Sequence, residues 1–272
     1  MNSHEQLLTY CKSLRLPSMG AALADTLPQA MQESWSIETV LLHLLEREVE
    51  GRRRRRIERF MKQSQLPPGK TLAQFDQQRL PLRIQRRLAQ LRTGDFIDQC
   101  QNVLFFGLPG TGKTHAAAAL GHALVEAGHS VFFTPTFMLV GRLLRAKRDY
   151  ELERELRRLD RFEVIILDDI GYVQQSRAEM EVLFTFLAER YERRSLMITS
   201  NLVFSEWNKI FQDPLTTAAA IDRIVHHSVI IEFGADIKSL RMEEAALRNQ
   251  QELLAVDPAP DSASTSEAKD VG

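Results

Sequence analysis

The stretch GLPGTGKTH, residues 107–115, constrains the fold of this chain more than any other feature. It follows the apolar run NVLFF and has the spacing G-x-x-x-x-G-K-[ST], which Gly107, Gly112, Lys113 and Thr114 complete. In this pattern the glycines let backbone N–H groups turn inward as a phosphate nest, the lysine reaches the β- and γ-phosphates, and the hydroxyl ligates Mg²⁺. The sequence therefore predicts a strand, a phosphate-binding loop and a helix whose positive end faces a nucleoside triphosphate. The expected contact residues are Gly107, Leu108, Pro109, Gly110, Thr111, Gly112, Lys113, Thr114 and His115.

A second apolar run, VIILDD at residues 164–169, ends in two carboxylates. This is the Walker B pattern, in which a buried strand delivers an aspartate to the Mg²⁺ beside the phosphates. We expect Asp168 to fill that role together with Thr114.

Further apolar runs at residues 130–134, 195–201 and 229–233 alternate with helical patterns, including 137–158, 177–193 and 217–227. This alternation predicts an α/β fold with a five-stranded parallel sheet. One strand, residues 130–134, lies between the phosphate loop and the Walker B strand, which distinguishes the additional-strand ATPases from the kinase and GTPase groups.

Enzymes of this type commonly use three more residues: an acid that orients water, a polar sensor of the γ-phosphate, and an arginine from a neighbouring subunit. Asp169, Asn201 and Arg223 are the candidates. Two simpler interpretations stay open. Asn201 could be a turn residue at a strand end, and Arg223 could be a surface arginine paired with Asp222.

The chain divides into four predicted segments. Residues 1–65 read as a small all-helical N-terminal domain, 66–82 as a linker with prolines, 83–255 as the ATPase domain, and 256–272 as a disordered tail. Within the first segment, Pro17 is expected to end the opening helical run.

Clustered basic residues suggest nucleic-acid contact, although the net charge of −1 excludes a basic coat protein. Two groups of basic residues are candidates for contact with a DNA backbone. One lies at residues 52–59 in the helical N-terminal segment, and the other lies at residues 145–148 on the helix predicted at 137–158. The alternative is a solvated helix or a surface for an acidic partner, since glutamates intervene. The candidates are Arg52, Arg53, Arg54, Arg55, Arg56, Arg59, Arg145, Lys147 and Arg148.

Several other site classes lack support in the sequence. Cys11 and Cys100 are far apart, and the histidines lack ligand spacing such as H-E-x-x-H, so structural disulfides and histidine metal sites are not indicated. The chain has no 18-residue apolar run and its N-terminus lacks a signal-peptide core, so we expect a soluble cytoplasmic protein.

The order of longer phrases resembles one family. GLPGTGKTHAAAALG, VIILDDIGYV, LAERYERRSLMITSN, FSEWNKIF and AAAIDRIVHH, preceded by FDQQRLP, resemble the IstB-like transposition helper ATPases, which are AAA+ relatives of the DnaC helicase loader. The resemblance runs from about residue 14 to 241. It implies an AAA+ ATPase that uses ATP and Mg²⁺, assembles as a homo-oligomer around duplex DNA without sequence preference, and recruits or activates a transposase.

The resemblance also implies roles for single residues. Lys113 and Asp168 match nucleotide and Mg²⁺ positions, Asn201 matches sensor 1, Arg223 matches a trans arginine finger, and Arg241 resembles the sensor-2 arginine. Asp169 stands where many relatives of the class have Glu, so slow intrinsic hydrolysis is expected. Around Arg241 the sequence reads KSLR rather than G-x-S-Y-R.

Two other functions remain open at this point. The first is a helicase loader of the same fold that acts on a replicative helicase. The second is a nucleotide-gated binding module that does not turn over ATP, an alternative suggested by Asp169.

Overall fold

A computed structural model describes residues 2–171, 176–207, 214–234 and 237. Within this part of the chain, five parallel strands form one sheet in the order β2-β3-β4-β1-β5. The predicted five-stranded parallel sheet is therefore confirmed. The strands are β1 (Asn102–Gly107), β2 (Val131–Pro135), β3 (Val164–Asp168), β4 (Ser195–Ser200) and β5 (Ser228–Phe233).

Helices cover both faces of the sheet, which is why its strands are apolar throughout rather than alternating. Successive side chains of β1 point to opposite faces: Val103 and Phe105 join one buried cluster, whereas Leu104 and Phe106 join the other. Helices α4 (Leu82–Leu91), α5 (Asp95–Asp98) and α6 (Lys113–Ala127) contribute to the first cluster. Helices α7 (Thr136–Arg148), α8 (Leu152–Leu159), α9 (Arg177–Arg190) and α10 (Pro214–Val225) contribute to the second.

The single helix predicted at residues 137–158 is wrong, because α7 and α8 are separate helices. Tyr150 has φ 58° and breaks the helical path. The N–H groups of Tyr150 and Glu151 turn back to the carbonyls of Lys147 and Ala146, at 3.2 and 2.7 Å, which satisfies the end of α7. Helix α9 also ends earlier than residue 193, since Tyr191 has ψ 127°, which is not helical, and Glu192 has φ 54°.

The N-terminal segment is helical, as predicted, but it contains one helix that the sequence pattern did not identify. The helices are α1 (Ser3–Ser13), α2 (Pro17–Gln32) and α3 (Ile37–Ser64). Pro17 follows the end of α1 and also begins α2, because a first-turn proline loses no helical hydrogen bond. The described helices include none that is long and apolar enough to cross a membrane.

Helix α3 connects the N-terminal helices to the sheet domain. Its residues Ile57, Phe60 and Met61 pack against the cluster that contains α6 and β1. In the predicted linker, Leu66, Phe75 and Leu80 are buried in the same cluster. The boundaries at 65 and 82 stay a prediction, and the segment between them is packed against the sheet domain. The sequence also predicts a closing helix at 242–254, and this helix and the tail at 256–272 lie outside the described residues.

Glu48 joins α2 to α3. Glu48 is only 3% exposed, and its carboxylate accepts the N–H groups of Ser18 and Met19 in the first turn of α2, at 2.8 and 3.0 Å. Arg52 and Arg55 donate to the other carboxylate oxygen, at 2.9 and 3.1 Å. Burial raises the pKa of Glu48, but the hydrogen bonds from Met19, Arg52 and Ser18, with the charge of Arg52, outweigh burial and lower this pKa.

We predict that Glu48→Ala lowers the free energy of unfolding at pH 7 by about 2–3 kcal/mol, because two N–H groups at the start of α2 lose their acceptor. The lowered pKa means that this stabilisation is complete above the ordinary glutamate pKa of about 4.3 and is lost as pH falls through the folded value. Urea unfolding from pH 7 to pH 3 should therefore show a narrowing difference from the wild-type chain. Glu46→Ala, an exposed glutamate of α3, is the control and should change little; an equal effect of both changes would contradict the role of Glu48.

Candidate nucleotide-binding site

The loop between β1 and α6 has the backbone that phosphate binding requires. Gly107, Gly110 and Gly112 have φ values of 149°, 81° and 95°, which other residues rarely adopt. A Cβ on Gly107 would also overlap the carbonyl oxygen of Phe233 on β5. The loop conformation therefore favours glycine at these positions, and α6 begins directly after the loop, so the positive end of the helix lies beside it.

Lys113 folds back over this loop. Lys113 is only 8% exposed, and its Nζ donates to the carbonyl oxygen of Leu108 at 2.8 Å. The Thr111 hydroxyl donates to the same carbonyl, also at 2.8 Å. The ammonium group of Lys113 thus lies at the loop, and phosphate oxygens are strong acceptors for such a group. Thr114 follows on the first turn of α6, and Leu108 and Pro109 are exposed at the tip of the loop.

Asp168 is held in place by two threonines. Its Oδ1 accepts the hydroxyl of Thr199 at 2.7 Å, and its backbone carbonyl accepts the hydroxyl of Thr136 at 3.0 Å. The Thr199 oxygen also accepts the N–H of Asp169 at 2.8 Å. One hydroxyl on β4 therefore fixes both acidic residues at the end of β3. Motif spacing did not reveal this bridging role of Thr199, which depends on the pairing of β3 with β4.

Asp169 has a left-handed backbone with φ 60°, which aspartate tolerates better than most residues. The next N–H, of Ile170, donates to the carbonyl of Thr199 at 3.0 Å. The chain thus turns sharply at Asp169, and its carboxylate lies at the carboxyl edge of the sheet, where open parallel sheets bind ligands.

Asn201 directly follows β4 at the same edge, since Ser200 pairs with Phe106 of β1. Its Oδ1 atom is buried and has no hydrogen-bond partner among the described residues. It lies close to Gly171, where a Cβ would approach it to 2.9 Å. A buried amide oxygen without a partner needs a donor, which phosphate oxygens are not, so this oxygen alone does not separate the sensor from the turn residue.

Arg223 lies on α10, and its guanidinium carbon is 4.7 Å from the ring centroid of Phe184 on α9. Its Nη1 atom is buried and has no hydrogen-bond partner in the described part of the chain. The same residues contain no ion pair between Arg223 and Asp222, so the simple surface pair is not what the structure shows.

His115 contacts the predicted linker. Its Nε2 lies 3.2 Å from the carbonyl oxygen of Thr71, and its ring centroid is 4.8 Å from that of Phe75. Burial, aided by the charge of Lys70 and opposed by the Thr71 carbonyl, lowers the pKa of His115. The Phe75 ring also lies against Gly112. Phe75 is therefore a neighbour of the phosphate loop that motif spacing alone could not identify.

The basic candidates lie in different environments. Arg52 and Arg55 bind Glu48, Arg54 pairs with Glu58 at 3.8 Å, and Lys147 pairs with Glu181 at 2.7 Å. Two more, Arg56 and Arg59, lie over the Phe60 ring at 5.2 and 5.3 Å. Arg145 donates to the carbonyl of Gly141, whereas Arg53 and Arg148 are exposed. Arg241 lies outside the described residues.

Comparisons with known proteins show the family to which the chain belongs. Residues 9–246 match the family described as IstB-like ATP binding protein. A Sinorhizobium fredii protein described as an insertion sequence ATP-binding protein is 42% identical over 238 residues, which cover 87% of this chain and 80% of that protein. An insertion sequence IS21 protein of Pseudomonas aeruginosa, also described as ATP-binding, is 37% identical over 85% of this chain and 86% of its own length. The crystal structure of DnaI shares the fold, with TM-score 0.52 and 20% identity over 62% of this chain and 95% of DnaI.

We predict that Thr199→Val lowers Mg²⁺ affinity or ATP turnover about 10- to 100-fold, because residues that orient a metal ligand typically have effects of this size. Phosphate release at increasing Mg²⁺ concentration measures the change. Ser200→Ala is the matched control, since the Ser200 hydroxyl bonds only to Leu202 in the described structure and the change should have little effect. Equal activity of Thr199→Val and the wild-type chain would contradict the positioning role.

Proposed function

Because the chain belongs to the IstB-like ATP-binding protein family, we propose that it is an ATP-dependent transposition helper. It binds ATP and has the sheet and phosphate loop of an AAA+ ATPase. In the proposed function it assembles on duplex DNA without sequence preference and recruits or activates a partner transposase. The observation that carries this proposal is the match to insertion-sequence proteins over more than four-fifths of the chain.

In the proposed site, Lys113 contacts the β- and γ-phosphates, and Thr114 and Asp168 hold Mg²⁺. The metal would neutralise charge that develops on the phosphate oxygens. Asp169 orients the water that attacks the γ-phosphorus as its bond to the bridging oxygen breaks, giving ADP and phosphate. Asn201 donates its amide N–H to the γ-phosphate region. The aspartate side chain at 169 is one methylene shorter than glutamate, so intrinsic hydrolysis is slow in this proposal.

A further positive charge, which would stabilise the negative charge on the transferring phosphoryl group, would come from Arg223 of a neighbouring subunit. Its Nη1 atom is buried without a hydrogen-bond partner in the described part of the chain, and Arg223 would leave Phe184 to bring this atom to a neighbour's γ-phosphate. An arginine finger is worth about 10³–10⁵ in rate, so hydrolysis would depend on assembly, and DNA would stimulate hydrolysis by promoting assembly.

A basic groove supports DNA binding. This groove has a volume of about 580 Å³ and lies between the end of α3, the start of β2 and the helices α7 and α8. Its acidic neighbour, Glu155, pairs with Arg142 and Arg158. The groove continues the basic surface of α3 and extends the candidates found in the sequence. Its cationic residues are Arg59, Lys62, Arg142, Arg158 and Arg161.

We predict that the double change Arg59→Ala and Arg161→Ala weakens duplex-DNA binding evenly across sequences. The slope of log K against log salt concentration should become shallower by about 2, since each lost phosphate contact removes about one unit. Both side chains are exposed, so folding should be unaffected. Arg52 and Arg55 are unsuitable for this test because they also bind Glu48.

The matched control is Arg154→Ala with Arg157→Ala, two arginines of α8 that pair with Glu151 and Glu153 on its exposed side. If the salt dependence of DNA binding is unchanged in the groove variant, Arg59 and Arg161 do not contact DNA phosphates. Tighter binding of single-stranded than duplex DNA by the wild-type chain would instead support the helicase-loader function.

A mixing experiment tests the trans arginine. We predict that Lys113→Ala and Arg223→Ala proteins each lose at least about 10³-fold of DNA-stimulated phosphate release, as expected for an arginine finger, and that mixing them restores part of it. Restoration is expected because an intact phosphate loop can then meet an intact arginine. Lys113→Ala mixed with the double variant is the control and should remain inactive. Co-assembly without any recovery would contradict the trans role.

A further inference from the structure

Three metal-ligating side chains meet at the amino edge of the sheet, whereas the phosphate loop lies at the carboxyl edge. Glu192 lies in the turn after α9, and His226 and His227 lie in the turn between α10 and β5. One ligand atom from each residue lies within 4.8 Å of the others. Glu192 Oε1 is 3.9 Å from His226 Nδ1 and 3.8 Å from His227 Nε2. This is the one such group of three or more in the described part of the chain.

We propose that Glu192, His226 and His227 form a binding site for a divalent transition metal of the Zn²⁺ type. Two imidazoles and one carboxylate suit zinc and its neighbours, whereas Mg²⁺ and Ca²⁺ prefer oxygen ligands alone. Donor atoms around one zinc lie about 3.3 Å apart when the bonds are about 2.0 Å long. Small side-chain movements from the observed spacing therefore close the site, and water completes the coordination.

The backbone around these ligands is held by specific hydrogen bonds. The N–H groups of Arg193 and Arg194 both donate to the carbonyl of Arg190 at 3.0 Å, which fixes the turn that carries Glu192. On the other side, the buried Asn102 donates its N–H to the carbonyl of His227 at 2.8 Å and its Nδ2 to the carbonyl of Ile224 at 3.0 Å. The two turns are therefore fixed before a metal binds.

Neighbouring side chains also hold the two imidazole rings in place. The His226 and His227 ring centroids are 4.1 Å apart, and the Tyr191 hydroxyl lies 3.0 Å from His226 Nδ1. A metal that takes Nδ1 replaces this hydrogen bond. The three side chains are 51–55% exposed, so an ion can reach them from solvent without opening the core.

The site would link the end of α9 to the end of α10. These helices carry Phe184 and Arg223, whose side chains stack on each other. Metal binding should therefore stabilise the packing of α10 on the sheet domain. This expectation does not depend on DNA binding, on a transposase or on ATP turnover.

The test is a Zn²⁺ titration of the full-length chain without a histidine tag, in competition with a chromophoric chelator, combined with thermal unfolding. We expect one Zn²⁺ per chain and a higher Tm with Zn²⁺. His227→Ala and Glu192→Gln should each weaken binding by about tenfold or more and abolish the Tm increase, since even outer-shell partners have effects of 10- to 100-fold.

The matched control is His129→Ala, which removes a histidine that pairs with a single glutamate, Glu163, and should leave Zn²⁺ affinity unchanged. Co²⁺ in place of Zn²⁺ should give a visible absorption band that His227→Ala abolishes. Absence of Zn²⁺ binding by the wild-type chain, or equal binding by the wild-type chain and both ligand variants, would overturn the proposal.

Discussion

The pairing of β4 between β3 and β1 is the constraint on which the nucleotide site depends. Leu167 of β3 pairs with Ile198, and Phe106 of β1 pairs with Ser200, so Thr199 reaches Asp168 while Asn201 lies beside the end of β1. A shift by one residue would turn Thr199 to the opposite face of the sheet. The buried apolar residues of both clusters prevent that shift, so the packing of the core fixes the position of the acidic residues.

Helix α3 and the segment 66–82 connect the basic groove to the nucleotide site through packed side chains. The end of α3 contributes Arg59 to the basic groove and Phe60 to the core. The segment that follows places Phe75 against Gly112 and His115 of the nucleotide site. In the proposed function, DNA and ATP therefore bind to surfaces joined by packed side chains, and this arrangement offers a physical route for coupling between them.

The sequence predicted the sheet well because its strands are short, uninterrupted apolar runs and because two of them end in motifs with fixed chemistry. It failed at Tyr150, where neither glycine nor proline marks the break between α7 and α8. It also could not reveal the Thr199 bridge or the approach of Glu192 to His227, since these contacts join residues about 30 or more positions apart. The roles of Asn201, Arg223, Arg241 and the basic residues stay predictions.

In the proposed function, Arg223 of a neighbouring subunit completes the active site on DNA. The most direct measurement is an electron cryomicroscopy structure of the full chain with duplex DNA, Mg²⁺ and a non-hydrolysable ATP analogue. The account predicts an oligomer in which Lys113, Thr114 and Asp168 surround the nucleotide and Mg²⁺, and Arg223 from the next subunit faces the γ-phosphate. Subunits on DNA in which Arg223 remains stacked on its own Phe184, with no neighbouring residue at the nucleotide, would contradict it.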